Sequence, residues 1–214
     1  MFPRSWYPTS TPPQVQRWTV PSCKKCNRDL GKIEKELFVR LALCVDPRKA
    51  AAAGLSEKAV RSRGVRAENL TARDRKHREA LKSKIKKEIK PYLSSVCVLP
   101  GLGPHPGFPG HQQYQLEFPQ SSIEAVAKKI VRGCEYILAQ NRIVEPPYVE
   151  QIYFAKESDI QNILQILEPF GPTHLGPGFR VTRAAAHDDP KSVMYKIDVW
   201  VSWTIYGVIV PETE

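Results

Sequence analysis

Cys23 and Cys26 enclose two lysines in the run Val20-Pro21-Ser22-Cys23-Lys24-Lys25-Cys26-Asn27-Arg28-Asp29-Leu30. Two thiolates at this spacing can grip one side of a tetrahedral Zn²⁺, and a structural zinc site takes four ligands. Cys44, Cys97 and Cys134 are scattered singly, and the first histidine is His77. Half of a structural zinc site is therefore visible, with Cys23 and Cys26 as its metal residues. The competing reading is an ordinary pair of reduced cysteines in a packed turn; a Cys₄ site shared between two copies is a third.

The elements around the pair carry an unusual charge distribution. Residues 1–90 hold 23 Lys and Arg against 9 Asp and Glu, a balance of +14, whereas residues 91–214 have a balance of −4. Such asymmetry points to a half that faces a polyanion. Lys and Arg also solvate exposed helices, but their concentration around a Cys-x-x-Cys favours a nucleic-acid surface. The candidate phosphate contacts are Lys24, Lys25, Arg28, Arg73, Arg75, Lys76, Arg78, Lys82 and Lys86. An odd number of cysteines without pairing rhythm suits a reducing, cytoplasmic setting. No apolar run reaches the roughly 18 residues of a membrane helix, and no secretory signal is recognisable, so no membrane association is expected.

The pattern predicts an α+β fold. Residues 1–20, with four prolines and interleaved Trp6, Tyr7 and Trp18, are expected to be an irregular packed arm with a short strand at Arg17–Val20. The three aromatics could stack on bases, but closing a small N-terminal core is the better expectation. Leu30, Ile33, Leu37, Leu41 and Cys44 recur at helical spacing over Asp29–Cys44, with Asn27 as the expected N-cap. A short helix starts at Ser56. A basic helix follows Thr71 to about Lys90, opened by a Thr71–Asp74 capping box, and its thin apolar line (Leu81, Ile85, Ile89) predicts light docking. Residues 98–119, rich in Pro and Gly, read as a linker.

Ser121 to Glu124 forms a capping-box pattern opening a helix to about Gln140, with a broad apolar face. Beyond it come a strand at Gln151–Phe154, a helix at Asp159–Leu167, a strand at Phe179–Arg183 and a long β run from Met194 to Val210. Along that run Gly207 allows a bulge or bend, and Trp200 and Trp203 should face opposite sides, one core and one surface. His187-Asp188-Asp189-Pro190 is better read as a turn than as a metal triplet. Four segments result: 1–46, 47–97, the 98–119 linker, and a 120–214 α+β domain with antiparallel strands.

The stretch from Phe2 to Pro8 together with Trp18 to Asn27 resembles a branch of the HNH endonuclease family, built on a treble-clef zinc fold. The helix around Val131-Arg132-Gly133-Cys134-Glu135-Tyr136 also resembles the downstream region of such proteins. The resemblance implies that 1–46 is a partial treble-clef unit and that Cys23 and Cys26 are the second of two zinc knuckles. Asn27 then takes the place of the last metal-binding residue, and Gln14 stands near the family's central Asn. In the family a His base activates water while a Mg²⁺-type cation stabilises the leaving oxygen of a phosphodiester. On this alignment that His and the first knuckle would lie upstream of Met1, so that the true start precedes Met1 or the protein is a degenerate remnant. Without the base the rate enhancement should fall on the order of 10²–10⁴-fold. The expected function is action on, or binding to, nucleic acid, DNA in particular; the alternative is a non-catalytic basic binding protein whose C-terminal domain contacts another protein.

Overall fold

A computed structural model describes residues 1–15, 17–46, 48–63, 70–91, 114–153 and 157–212. Residues 98–113 of the expected linker lie outside these residues, as do Cys97, His105 and His111, while Tyr114–Leu116 at its far end is not linker but a strand paired with Ile89–Pro91. The fold is α+β. Helices α1 (Lys24–Cys44), α2 (Leu55–Arg63) and α3 (Ala72–Glu88) are followed by a two-stranded antiparallel ribbon, β1 (Ile89–Pro91) and β2 (Tyr114–Leu116). Helix α4 (Gln120–Leu138), β3 (Tyr148–Tyr153), α5 (Glu157–Leu167), β4 (Thr173–His174), β5 (Phe179–Ala185), β6 (Val193–Val199) and β7 (Trp203–Pro211) complete it. The last five strands form one antiparallel sheet in the order β3-β7-β6-β5-β4.

The sheet buries one face against α4 and the N-terminal arm. Tyr195, Ile197 and Val199 alternate inward on β6, as do Trp203, Ile205 and Ile209 on β7. From α4, Ile123, Val126, Ala127, Ile130, Val131 and Cys134 meet them, the 3.6-residue stripe of an amphipathic helix. Gly207 makes neither bulge nor bend. It pairs in register with Tyr195 and Ile152, and a Cβ there would stand 2.7 Å from the Val131 side chain. The missing side chain is what lets α4 sit close on β7.

The expected boundaries at 46/47 and 119/120 do not divide the apolar core. Phe2 stacks on Phe179 at 3.9 Å between ring centroids, and Trp6 packs between Trp200 and Trp203 at 5.4 and 6.2 Å. Trp6 and Tyr7 thus close a core shared with the sheet rather than a small N-terminal one, and one apolar cluster runs from Met1 to Ile209. Arg17–Val20 is not a strand, since its backbone partners no neighbouring strand among the described residues. Met194–Val210 is two strands, not one. Val199 accepts from the Ser202 N–H at 3.1 Å across a tight turn whose central residues, Trp200 and Val201, have φ of 56° and 53°. Both tryptophans are buried, because the turn carries Trp200 inward, where its Nε1–H donates to the Trp6 carbonyl at 2.6 Å.

Helix ends differ from expectation in two places. Helix α1 starts at Lys24 with Cys23, not Asn27, as its N-cap. Helix α4 starts at Gln120 after Pro119, with no side-chain cap, so the Ser121–Glu124 box is not formed. Thr71 does cap α3, accepting from the Asp74 N–H at 3.1 Å while its hydroxyl donates to the Asp74 carboxylate at 2.6 Å. The His187–Pro190 segment is a turn, its Asp189 carboxylate accepting from Ser192 and Tyr148. Among the described residues no helix is long and apolar enough to cross a membrane.

Candidate nucleic-acid interface and cysteine pair

Burial along α1 begins only at Glu34, followed by Leu37, Phe38, Val39, Arg40, Leu41 and Ala42. Residues 21–29 are all exposed. The first turns therefore extend clear of the core and hold Cys23, Lys24, Lys25, Cys26, Asn27 and Arg28 in solvent. Cys23 Sγ accepts the Cys26 backbone N–H at 3.1 Å, and its carbonyl takes the Asn27 N–H at 3.0 Å, closing the first turn. Hydrogen bonds from the Cys26 thiol and then the Cys26 N–H hold the Cys23 thiol below the usual range. The same shared proton pushes Cys26 upward. Asp29 is engaged by Arg28 at 3.1 Å.

The basic helix docks as lightly as its sequence suggests. Ile85 alone is buried on α3, Leu81 is partly covered and Ile89 is exposed. A second anchor is polar and had no sequence signal. Arg40 of α1 is 1% exposed, and its guanidinium donates to the Glu88 carboxylate at 2.8, 3.0 and 3.2 Å. Glu36 accepts from Arg40 at 3.4 Å and from Lys84 at 3.3 Å.

These two links fix the relative direction of the helices. Arg40 meets Glu88 and Glu36 meets Lys84, each pair separated by 48 positions, so α1 and α3 run parallel where they join. Both N-termini consequently point to the same side. Helix N-termini carry free N–H groups and a positive dipole end, which favour anions.

The structure thus places the predicted cations on two helices that both pack on α2 and are linked by the Arg40–Glu88 and Glu36–Lys84 pairs. Lys24, Lys25, Arg73, Arg75, Lys76, Lys82 and Lys86 are exposed and without an ion pair among the described residues. Arg78 is half-buried and donates to the Arg61 carbonyl at 3.1 Å, a contact that ties α3 to the end of α2. Gln14 lies in an exposed turn of the arm, and no hydrogen bond joins it to Asn27 among the described residues.

Among the described residues no cluster of three or more His, Cys, Asp or Glu side chains could hold a metal ion. Cys23 and Cys26 offer two donors on one side of a helical turn, which is half of what tetrahedral zinc takes.

Sequence reasoning missed a second polar cluster. Glu135 of α4 is fully buried and accepts from Arg183 of β5 at 3.0 and 3.1 Å, from Arg142 at 2.7 Å and from the Tyr195 hydroxyl. Burial pulls this carboxyl upward, but the hydrogen bonds from Arg183 and Tyr195 outweigh it and leave Glu135 below the usual carboxylate range. Burial and then Glu135 push Tyr195 well above the normal phenol range. All acceptor directions are occupied, so the cluster is a joint between α4 and the sheet. No protein-family model matches this chain, and neither does any curated protein or solved structure.

Proposed function

We propose that the protein binds nucleic acid, DNA in the reading its HNH resemblance implies, across the exposed first turns of α1 and the outer face of α3. The observation that supports this most is the same-sense docking of α1 and α3, which joins two helices whose exposed cations have no ion pair among the described residues. Lys24, Lys25, Arg73, Arg75, Lys76, Lys82 and Lys86 neutralise phosphates, and Arg28 joins them at the cost of its pairing with Asp29. On the HNH-type reading Asn27 and Gln14 belong to a catalytic centre using a Mg²⁺-type cation, and Cys23 and Cys26 to a structural zinc site. The residues described here supply only two zinc ligands, so no catalytic step is assigned to either metal.

The test is binding of a labelled DNA duplex, followed by fluorescence anisotropy across a salt series. If four cations sit on phosphates, log K against log[salt] should fall with a slope of about −3.6. Substituting Arg73 and Lys76 by Gln should flatten it by about 2. A slope near zero, or one unchanged by the double substitution, overturns the interface. Nicking of supercoiled DNA with Mg²⁺ or Mn²⁺ that disappears in Asn27→Ala would assign hydrolysis to this chain, whereas salt-sensitive binding without nicking would assign the non-catalytic reading.

A further inference from the structure

We propose that Cys23 and Cys26 form a thiol–disulfide exchange site that takes a small-molecule disulfide such as oxidised glutathione and closes to an intramolecular disulfide at the head of α1. This does not rest on the nucleic-acid reading, and it excludes a structural zinc at the same pair, because sulfurs joined in a disulfide no longer bind Zn²⁺ as thiolates.

The placement carries it. Cys23 is the N-cap and Cys26 the third helical residue, and positions three apart on an α-helix have Cα atoms about 5 Å apart. That separation lies inside the range a disulfide spans without backbone movement, roughly 4.4–6.8 Å. Cys23 Sγ accepts the Cys26 N–H at 3.1 Å and is hydrogen-bonded to the Cys26 thiol as well, so both sulfurs occupy the same side of the first turn. Both are exposed and reduced, and residues 21–29 around them are uncovered, which leaves a bulky disulfide room to approach. Lys24 and Lys25 sit between them and complement the carboxylates of glutathione. The remaining described cysteines differ in this respect: Cys134 is fully buried and Cys44 half-buried, and burial pushes the Cys44 thiol up to about 11.

The exchange balances. The Cys23 thiolate attacks one sulfur of glutathione disulfide, forming a mixed disulfide and expelling a glutathione thiolate that takes up a proton. The Cys26 sulfur, losing its proton to solvent, then attacks Cys23 Sγ and expels the second glutathione thiolate. Two cysteine thiols are oxidised by two electrons in total, and one disulfide is reduced to two thiols.

The experiment exposes the full-length protein to a series of glutathione redox buffers, quenches with acid, alkylates and maps the peptides by mass. Expected is a disulfide-linked Cys23–Cys26 peptide, with the alkylated dithiol form falling at least about tenfold between reducing and oxidising buffers. Cys44 and Cys134 should stay alkylatable after unfolding. Cys26→Ser should instead accumulate glutathione on Cys23, because the resolving sulfur is gone. Two outcomes overturn the proposal: Cys23 and Cys26 alkylated as free thiols throughout, or glutathione retained on Cys23 in the wild type without ring closure. Circular dichroism of Cys26→Ser confirms that the variant is folded, and the wild-type result decides the question by itself.

Discussion

Replacing Glu88 by Ala tests whether the polar link between α1 and α3 holds the basic helix in place. The Arg40 side chain is 1% exposed and donates three hydrogen bonds to Glu88, so removing that carboxylate leaves a guanidinium nearly without solvent. Breaking a buried pair from one side costs about 3–5 kcal/mol. The Glu88 side chain is 20% exposed, and Glu36 still accepts from Arg40 through its carboxylate and its carbonyl, each at 3.4 Å, so the expected loss is nearer ~2–3 kcal/mol. For a chain of this length that corresponds to a Tm lower by roughly 4–12 °C. The stranded charge, not the lost contact, is the larger part of this loss. Arg40→Met keeps the aliphatic volume and needs no partner, so Arg40→Met/Glu88→Ala should recover most of the stability. Urea unfolding followed by far-UV circular dichroism measures all three variants. If the double variant is as unstable as the sum of the single ones, the pair is not coupled and the reasoning fails.

Glu135 gives a pH-dependent counterpart. Its folded pKa lies below that of the unfolded chain, so its contribution to stability is present above the ordinary carboxylate pKa and is lost as pH falls through the folded value. Unfolding free energy measured from pH 7 down to pH 2 should decline in the acid range, and Glu135→Gln should flatten that decline while costing about 3 kcal/mol at neutral pH. A decline unchanged in the variant places the acid sensitivity elsewhere. Val201→Asn should act in the opposite direction. Val201 is half-exposed at φ 53°, a region β-branched side chains avoid and Asn accepts, so a gain of about 1 kcal/mol in urea unfolding is expected. A loss would show that the Val201 side chain packs in a way its exposure conceals.

The elements that could be read from residue order are those whose signal is local. Leu37 and Leu41 announce the buried side of α1, the Thr71–Asp74 exchange announces the start of α3, and the alternation Tyr195, Ile197, Val199 announces β6. The break after Val199 is invisible because tight hairpin turns favour Asn and Gly, whereas this one is built from Trp200 and Val201. Its conformation is imposed from a distance, by Trp6 accepting the indole N–H and by Gly178 accepting the Trp200 backbone N–H at 2.5 Å. Arg40 and Glu135 are hidden for a related reason. Charged residues between apolar ones read as solvent-facing, and only the partners Glu88, Arg183 and Tyr195, each far off in sequence, make their burial tolerable. The cysteine pair was legible as a pair, but its role as a helix cap was not, because Asn27 is the commoner capping residue type.

The head of α1 brings these threads together, because by the usual rules it should be a poor place for a helix to begin. It has no acidic residue in its first turn, and Lys24 and Lys25 set positive charge against the positive end of the dipole. Gly31, with open space where a Cβ would be, costs roughly 1 kcal/mol relative to Ala, and residues 21–29 are all exposed. A helix end that is locally unfavourable and still projects into solvent is not explained by stability. Each of its defects is an advantage toward an anion: the lysines gain a partner, and the dipole is opposed by a negative charge instead of a positive one. The same exposure leaves the two sulfurs open to reagents that the buried cysteines never meet. The features that make this end weak as structure are those that binding phosphate, or exchanging a disulfide, would require.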